Sequence, residues 1–355
     1  MKNKMIFYLK NPRNIAISIT GIIFLSCVHH NPVKITRAFY YWKTNFQLSN
    51  YEQSRLDGIH CKTLYIRFFD IEWNKAISQP KPVAVNSFKQ QIQNGVTYIP
   101  VVFITQDVLT KLPVTGIEPF VKNFTNLLSE KCVQAKIQPS EIQIDFDWTE
   151  GTKEKYFLLL RLFKKQSFLE GRTLSCTIRL HQVRFKKNSG IPPVDKGLLM
   201  CYNTGSLKSS GENNSILDDK TALAYLDNLH SYPLQLDIAL PLFNWTLLYD
   251  NANRFAGILR DVQESELIES HIFELKGKSL YTVRQDTLWN GFYLKQNETI
   301  RYEAADISTL YRLSGFIAAN KNNSMPFTLI FYHCDSAVLS KYSNDELEKI
   351  YQAFH

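Results

Sequence analysis

The 355 residues are 45% apolar and 21% charged, enough to bury a large core without disulfide staples. The formal charge of +8 falls to 37 basic against 33 acidic residues once Lys2, Lys4, Lys10 and Arg13 of an acid-free leader are set aside. The remaining charges are interspersed, with no basic stripe carrying aromatics, so nucleic acid is not an expected partner.

Residues 1–26 join this basic start to a short apolar run, Ile15 to Leu25, closed by Ser26. The run is too short to span a bilayer and reads as a secretory signal. Phe24-Leu25-Ser26-Cys27 is similar to a bacterial lipobox, in which the cysteine is lipidated after cleavage. Residues 27–36 then form a tether and 37–355 one folded domain. The expected location is the cell envelope, held to a membrane through a lipid on Cys27. Plain secretion or an uncleaved anchor is the alternative.

Eight strand-like runs follow in order: Arg37 to Trp42, Thr63 to Phe69, Val96 to Ile104, Ile142 to Trp148, Thr173 to His181, Gly197 to Tyr202, Leu234 to Leu240 and Phe327 to His333. Helical patterns lie between most of them. They include Pro119 to Ala135, Lys153 to Gln166, Asp219 to His230 and Asp306 to Ala319, with short stretches at 51–56 and 86–94 and a last helix from Asn344 to Phe354. Strand and helix in alternation predict an α/β fold, the (β/α)8 TIM barrel. The surplus over a typical barrel falls at about 258–303, between strand 7 and its helix, and reads as a small β-rich insertion.

Six cysteines form no C-x-x-C pair, and Cys61, Cys132, Cys176, Cys201 and Cys334 sit in or beside apolar runs as small hydrophobes. There is no Gly-rich phosphate loop and no H-E-x-x-H. No metal or organic cofactor is expected.

Barrel sites sit at the C-terminal strand ends, so inward polar residues there are the candidates. Strand 4 presents Gln143, Asp145 and Asp147 on one face by the two-residue period. Strand 5 offers Arg179 and His181, strand 2 Arg67 with Asp70 following, strand 6 Tyr202 and Asn203, and strand 7 Asp237. Strand 1 ends at Trp42, and strand 8 at Tyr332 and His333. The polar and aromatic mix suits a carbohydrate. Asp145 paired with Arg67 or Arg179 could equally be a satisfied internal ion network. Trp42 and Trp245 read as core ahead of a stacking role.

Ile144-Asp145-Phe146-Asp147-Trp148 resembles the fourth-strand motif of family-18 glycoside hydrolases, D-x-x-D-x-D-x-E, with Asp145 and Asp147 on its last two aspartates. Met200-Cys201-Tyr202-Asn203 resembles that family's M-x-Y-D motif, with Asn for Asp. The resemblance implies a chitinase-like barrel with an insertion after strand 7. It also implies that the Asp at 147 holds a substrate N-acetyl group that acts as internal nucleophile, with Tyr202 supporting it. The first Asp falls on Ile142, and the catalytic Glu falls on Thr149, with Glu150 one residue later. Two readings follow. One is a glycan hydrolase with Asp147 or Glu150 as acid, Asp145 and Arg179 in support, or Asp147 working with Asp237. The other is a non-catalytic glycan-binding or structural envelope protein on the same fold.

Overall fold

The computed structural model describes residues 34–321 and 325–354. The signal segment 1–26, the lipidation candidate Cys27 and most of the tether lie outside the described residues. Eight strands form the centre: β1 (Ile35–Tyr41), β2 (Thr63–Asn74), β3 (Thr97–Ile104), β4 (Glu141–Asp145), β5 (Thr173–Arg179), β6 (Lys196–Met200), β7 (Leu236–Pro241) and β8 (Phe327–Tyr332). Each runs parallel to its neighbours, and β1 pairs with both β8 and β2, which closes the barrel. The chain is therefore the α/β TIM barrel expected. Strand 1 starts earlier than the tether boundary allowed, because Ile35 and Thr36 already pair with Phe327 and Thr328.

The strands sort their residues by parity. On β1, Ala38 and Tyr40 join an interior cluster with Tyr65, Val101, Leu198, Met200 and Ile330. Phe39 and Tyr41 face outward into the layer under the helices. The helix Lys153–Lys164 shows the complementary pattern, burying Tyr156, Phe157, Leu159, Leu160 and Phe163 at spacings of three and four. Each fully buried side chain of this size contributes about 1.5–3 kcal/mol, and Leu159→Ala would forfeit about 2–5 kcal/mol. Ser49 and Ser343 start their helices with capping boxes.

The connection from β2 to β3 departs from the pattern. It carries no helix: Gln79–Val83 folds back antiparallel on Asp70–Asn74, and Ser87–Phe88 pairs with Asn45–Phe46. Pro80 and Pro82 are accepted because Gln79–Val83 is an edge strand, and the stretch 86–94, expected to be helical, forms no helix.

The insertion begins earlier than the sequence suggested. Its sheet starts at Asn244–Tyr249, directly after β7, and ends at Thr299–Ala304. Five strands pair antiparallel, with Asn244–Tyr249 and Thr299–Ala304 adjacent, over a small core of their own that includes Leu259, Phe273, Tyr281 and Ile300. The sequence assigns Asn244–Tyr249 to no element, since Leu247 and Leu248 interrupt a period-two pattern. Among the described residues no helix is long and apolar enough to cross a membrane.

Candidate functional site

Strand β4 ends at Asp145, earlier than the alternation implied. Phe146 and Trp148 still turn outward, where Trp148 stacks on Tyr156 at 5.5 Å and its Nε1 donates to the Ser189 carbonyl at 2.9 Å. That anchoring leaves Asp145 and Asp147 facing a cavity of about 480 Å3 at the C-terminal mouth. Arg179 closes one side: its Nε donates to Asp147 Oδ1 at 2.6 Å, and its Nη2 to the other carboxylate oxygen. Across the mouth, Arg67 makes the same kind of two-pronged pair with buried Asp70, its Nε 2.6 Å from Oδ1. These pairs are geometrically defined and charge-assisted.

Asp145 is in a different state. It is held by one neutral donor, the Thr177 hydroxyl at 2.7 Å. Burial, reinforced by the charge of Asp147, pushes its carboxyl up to about 7, against the opposing pull of Thr177 and Arg179. Two neighbouring carboxylates thereby differ: Asp147 is bound to a cation, and Asp145 is held by a neutral donor with its carboxyl raised by burial.

Aromatic rings complete the walls. Tyr332 lies 5.6 Å from Tyr202 and 5.7 Å from Trp42, and Phe243 lies 5.4 Å from Trp245. Burial raises the Tyr202 and Tyr332 hydroxyls, so both stay protonated. Asn203 lines the same cavity in a left-handed conformation (φ 56°) that asparagine tolerates. His333 lines it too, and burial lowers its pKa, so the ring is neutral at neutral pH. Its Nδ1 is buried with no hydrogen-bond partner.

Trp42, Arg67, Asp145, Asp147, Arg179, Tyr202, Asn203 and His333 are thus brought together. Three candidates are not. Asp237 sits one residue into β7, at the opposite end of the barrel, where it accepts from Lys196 at 2.6 Å and from the Thr328 N–H at 2.7 Å. Being near the start of its strand, it cannot reach the mouth. His181 falls in the exposed first turn of the helix Leu180–Arg184, because β5 stops at Arg179 and the shared-face alternation stops with it. Glu150 is exposed in a turn closed by the Thr149 N–H on the Thr152 hydroxyl at 2.9 Å, and neither Thr149 nor Glu150 lines the cavity.

Sequence reasoning missed Phe243 and Asn244, which were hidden inside the apolar run after strand 7. It also missed a polar layer beneath the mouth. Glu141 has the parity of Asp145 and points inward, where Lys196 bridges it at 2.7 Å to Asp237 at 2.6 Å. Ser175 donates to Glu141 at 2.5 Å, and the Tyr40 hydroxyl donates to Gln143. The satisfied ion network foreseen for Asp145 exists, but lower down and with other members. Among the described residues no cluster of His, Cys, Asp and Glu is arranged to hold a metal.

No protein-family model and no curated protein sequence matches the chain. Solved structures do resemble it. A chitinase from Chromobacterium violaceum superposes with a TM-score of 0.53 at 11% identity, over 90% of this chain and 98% of that one. The Bacillus cereus spore cortex-lytic enzyme SleL gives 0.52 at 13% identity, over 91% of this chain and 75% of that one. The GH18 chitinase ChiB from the chitin utilization locus of Flavobacterium johnsoniae gives 0.52 at 10%, over 91% and 94%. Likeness at this identity speaks to architecture alone: the chain shares the (β/α)8 barrel of these structures.

Proposed function

We propose that the barrel binds an N-acetylated glycan at its C-terminal mouth and does not cleave it by the family-18 route. The carrying observation is the mouth itself, which sets Trp42, Tyr202, Phe243, Trp245 and Tyr332 around two fixed Arg–carboxylate pairs. Flat apolar rings match the faces of pyranose rings, and fixed polar groups match their hydroxyls. The similar structures bear names of enzymes that act on chitin and on spore cortex, which supports a glycan as the ligand class. The acid position speaks against the family route: Thr149 stands where the motif has Glu, and Glu150 lies outside the cavity.

A second reading is favoured by one observation. Asp145, with its carboxyl near 7, could deliver a proton in a hydrolase of altered design. Calorimetric titration with chito-oligosaccharides and cortex-type glycan strands, alongside reducing-end release, separates the two. Binding with no release supports the first reading. Release that is lost in Asp145→Asn supports the second. No binding to any glycan overturns both.

We also propose that Cys27 carries a lipid and tethers the barrel to an envelope membrane. The support is the leader's basic, apolar and Ser26-Cys27 pattern. Cys27→Ser should move the protein to the soluble fraction, and persistent membrane association would refute the anchor.

A further inference from the structure

Three aspartates, Asp70, Asp145 and Asp147, line the mouth with two carboxylate oxygens each. Five of those six oxygens already accept a hydrogen bond. Both oxygens of Asp70 accept from Arg67, and both oxygens of Asp147 accept from Arg179. Asp145 Oδ1 accepts from the Thr177 hydroxyl at 2.7 Å. Among the described residues no donor reaches Asp145 Oδ2. The two guanidiniums thus match two of the three carboxylates, and the third has no cation of its own.

The neighbours of Asp145 do not make up for this. Burial opposes its charge most, followed by Asp147, with a further push from Asp70 on β2. Tyr40 on β1, Tyr202 just past β6, Tyr332 on β8 and Tyr156 on the helix Lys153–Lys164 present hydroxyls that burial keeps protonated and uncharged. Arg179 on β5 is the one cation in this set, and its fork is taken by Asp147. A ligand that brings a positive charge to Oδ2 would make a charge-assisted hydrogen bond in a partly buried site, where such a bond is stronger than in water. A neutral hydroxyl or amide N–H would fill the same place and leave the carboxylate charge unbalanced.

We propose that Asp145 selects a glycan carrying a free amino sugar, whose ammonium donates to Oδ2, so that the preferred ligand is partly N-deacetylated. This rests on the glycan-binding reading above and narrows it. The preference is local in origin, since a chain of formal charge +8 does not draw cations from a distance. The opposite arrangement has a protonated Asp145 donating to an acetamido carbonyl, and it reverses both the ligand preference and its pH dependence.

The probes are the fully deacetylated glucosamine tetramer and tetra-N-acetylchitotetraose, titrated calorimetrically into wild type and Asp145→Asn between pH ~5 and pH ~6.5. Wild type should bind the deacetylated tetramer about tenfold more tightly at pH ~6.5. The advantage should grow with pH across this range, because the free Asp145 carboxyl gives up its proton on the way to about 7 and the ammonium-bound one has already lost it. Asp145→Asn keeps the shape without the charge and should bind the two tetramers alike at every pH. Equal affinities in wild type, or a preference that survives Asp145→Asn, would overturn the amino-sugar assignment and leave glycan binding intact. A preference for the acetylated tetramer that weakens as pH rises would overturn it as well, with Asp145 acting as a proton donor instead. Binding of neither tetramer to wild type would bring down the glycan reading and this proposal with it. The wild-type comparison is decisive without the variant.

Discussion

Arg179 grips Asp147 with two side-chain nitrogens, and the charge of the same guanidinium opposes the upward shift of Asp145. One residue thus fixes one carboxylate in place and opposes the rise in proton affinity of the next. Arg179→Lys keeps the charge but loses the planar fork, so glycan affinity should fall about tenfold. Arg179→Met should raise the Asp145 titration midpoint further, read from carboxyl 13C shifts against pH. A midpoint that stays put would show that Arg179 acts on Asp147 alone.

Asp145 also makes stability depend on pH. An unfolded aspartate titrates near about 3.9, whereas the folded Asp145 carboxyl titrates at about 7. Between these values the folded state holds more protons than the unfolded one, so stability falls as pH rises through the window and levels off above it. Asp145→Asn removes the cost of charging. It should be more stable than wild type by about 1–3 kcal/mol above pH ~7.5, with the gain shrinking toward pH ~4. Urea unfolding across that range checks it, and a difference that does not change with pH would contradict the assignment.

The polar layer below the mouth carries a separate prediction. Lys196 is the shared cation of buried Glu141 and Asp237. Burial raises the Glu141 carboxyl even with Lys196 in place, and the two carboxylates hold the Lys196 ammonium above its ordinary value. Lys196→Met removes the cation that the two buried carboxylates share and should cost about 3–5 kcal/mol at neutral pH. Part of that cost should disappear at acid pH, where the Glu141 carboxyl, already raised by burial, protonates. Denaturant titration at pH ~7 and ~4.5 tests both halves, and an equal loss at the two values would point to packing instead.

What the sequence made legible follows from which patterns survive in one dimension. The eight strands and the inward aim of Asp145 and Asp147 were readable because a two-residue period is local. Strand ends were not, because they depend on where neighbouring strands stop. That is why His181 was assigned to Arg179's face although it opens a helix, and why Asp237 was placed at the wrong end of the barrel. Glu141 had the right parity all along. Its role depended on Lys196, which is 55 positions away and sits at the start of a strand rich in leucine. Trp245 could not be separated from core by sequence, since what sets it in the wall is Glu303, brought beside it by an antiparallel pairing inside the insertion.

Thr149 supplies the most direct test of the functional reading. The resembled motif keeps its acid at this position, so Thr149→Glu restores the missing letter. Restoring the letter does not restore the place. After Asp145 the chain leaves the strand, with Trp148 locked outward by Tyr156 and Ser189 and the Thr149 N–H turned onto Thr152. A carboxylate at 149 would begin from an exposed turn outside the cavity. Thr149→Glu should therefore fold with a loss of no more than about 1 kcal/mol, from the hydroxyl contact between Thr149 and Thr152 at 3.2 Å. It should bind chito-oligosaccharides as wild type does and release no fluorophore from 4-methylumbelliferyl chito-oligosaccharides. Turnover in this variant would mean that the turn can swing its side chain to the glycosidic oxygen. The barrel would then be a hydrolase scaffold lacking one group, and the binding-only reading would have to be abandoned.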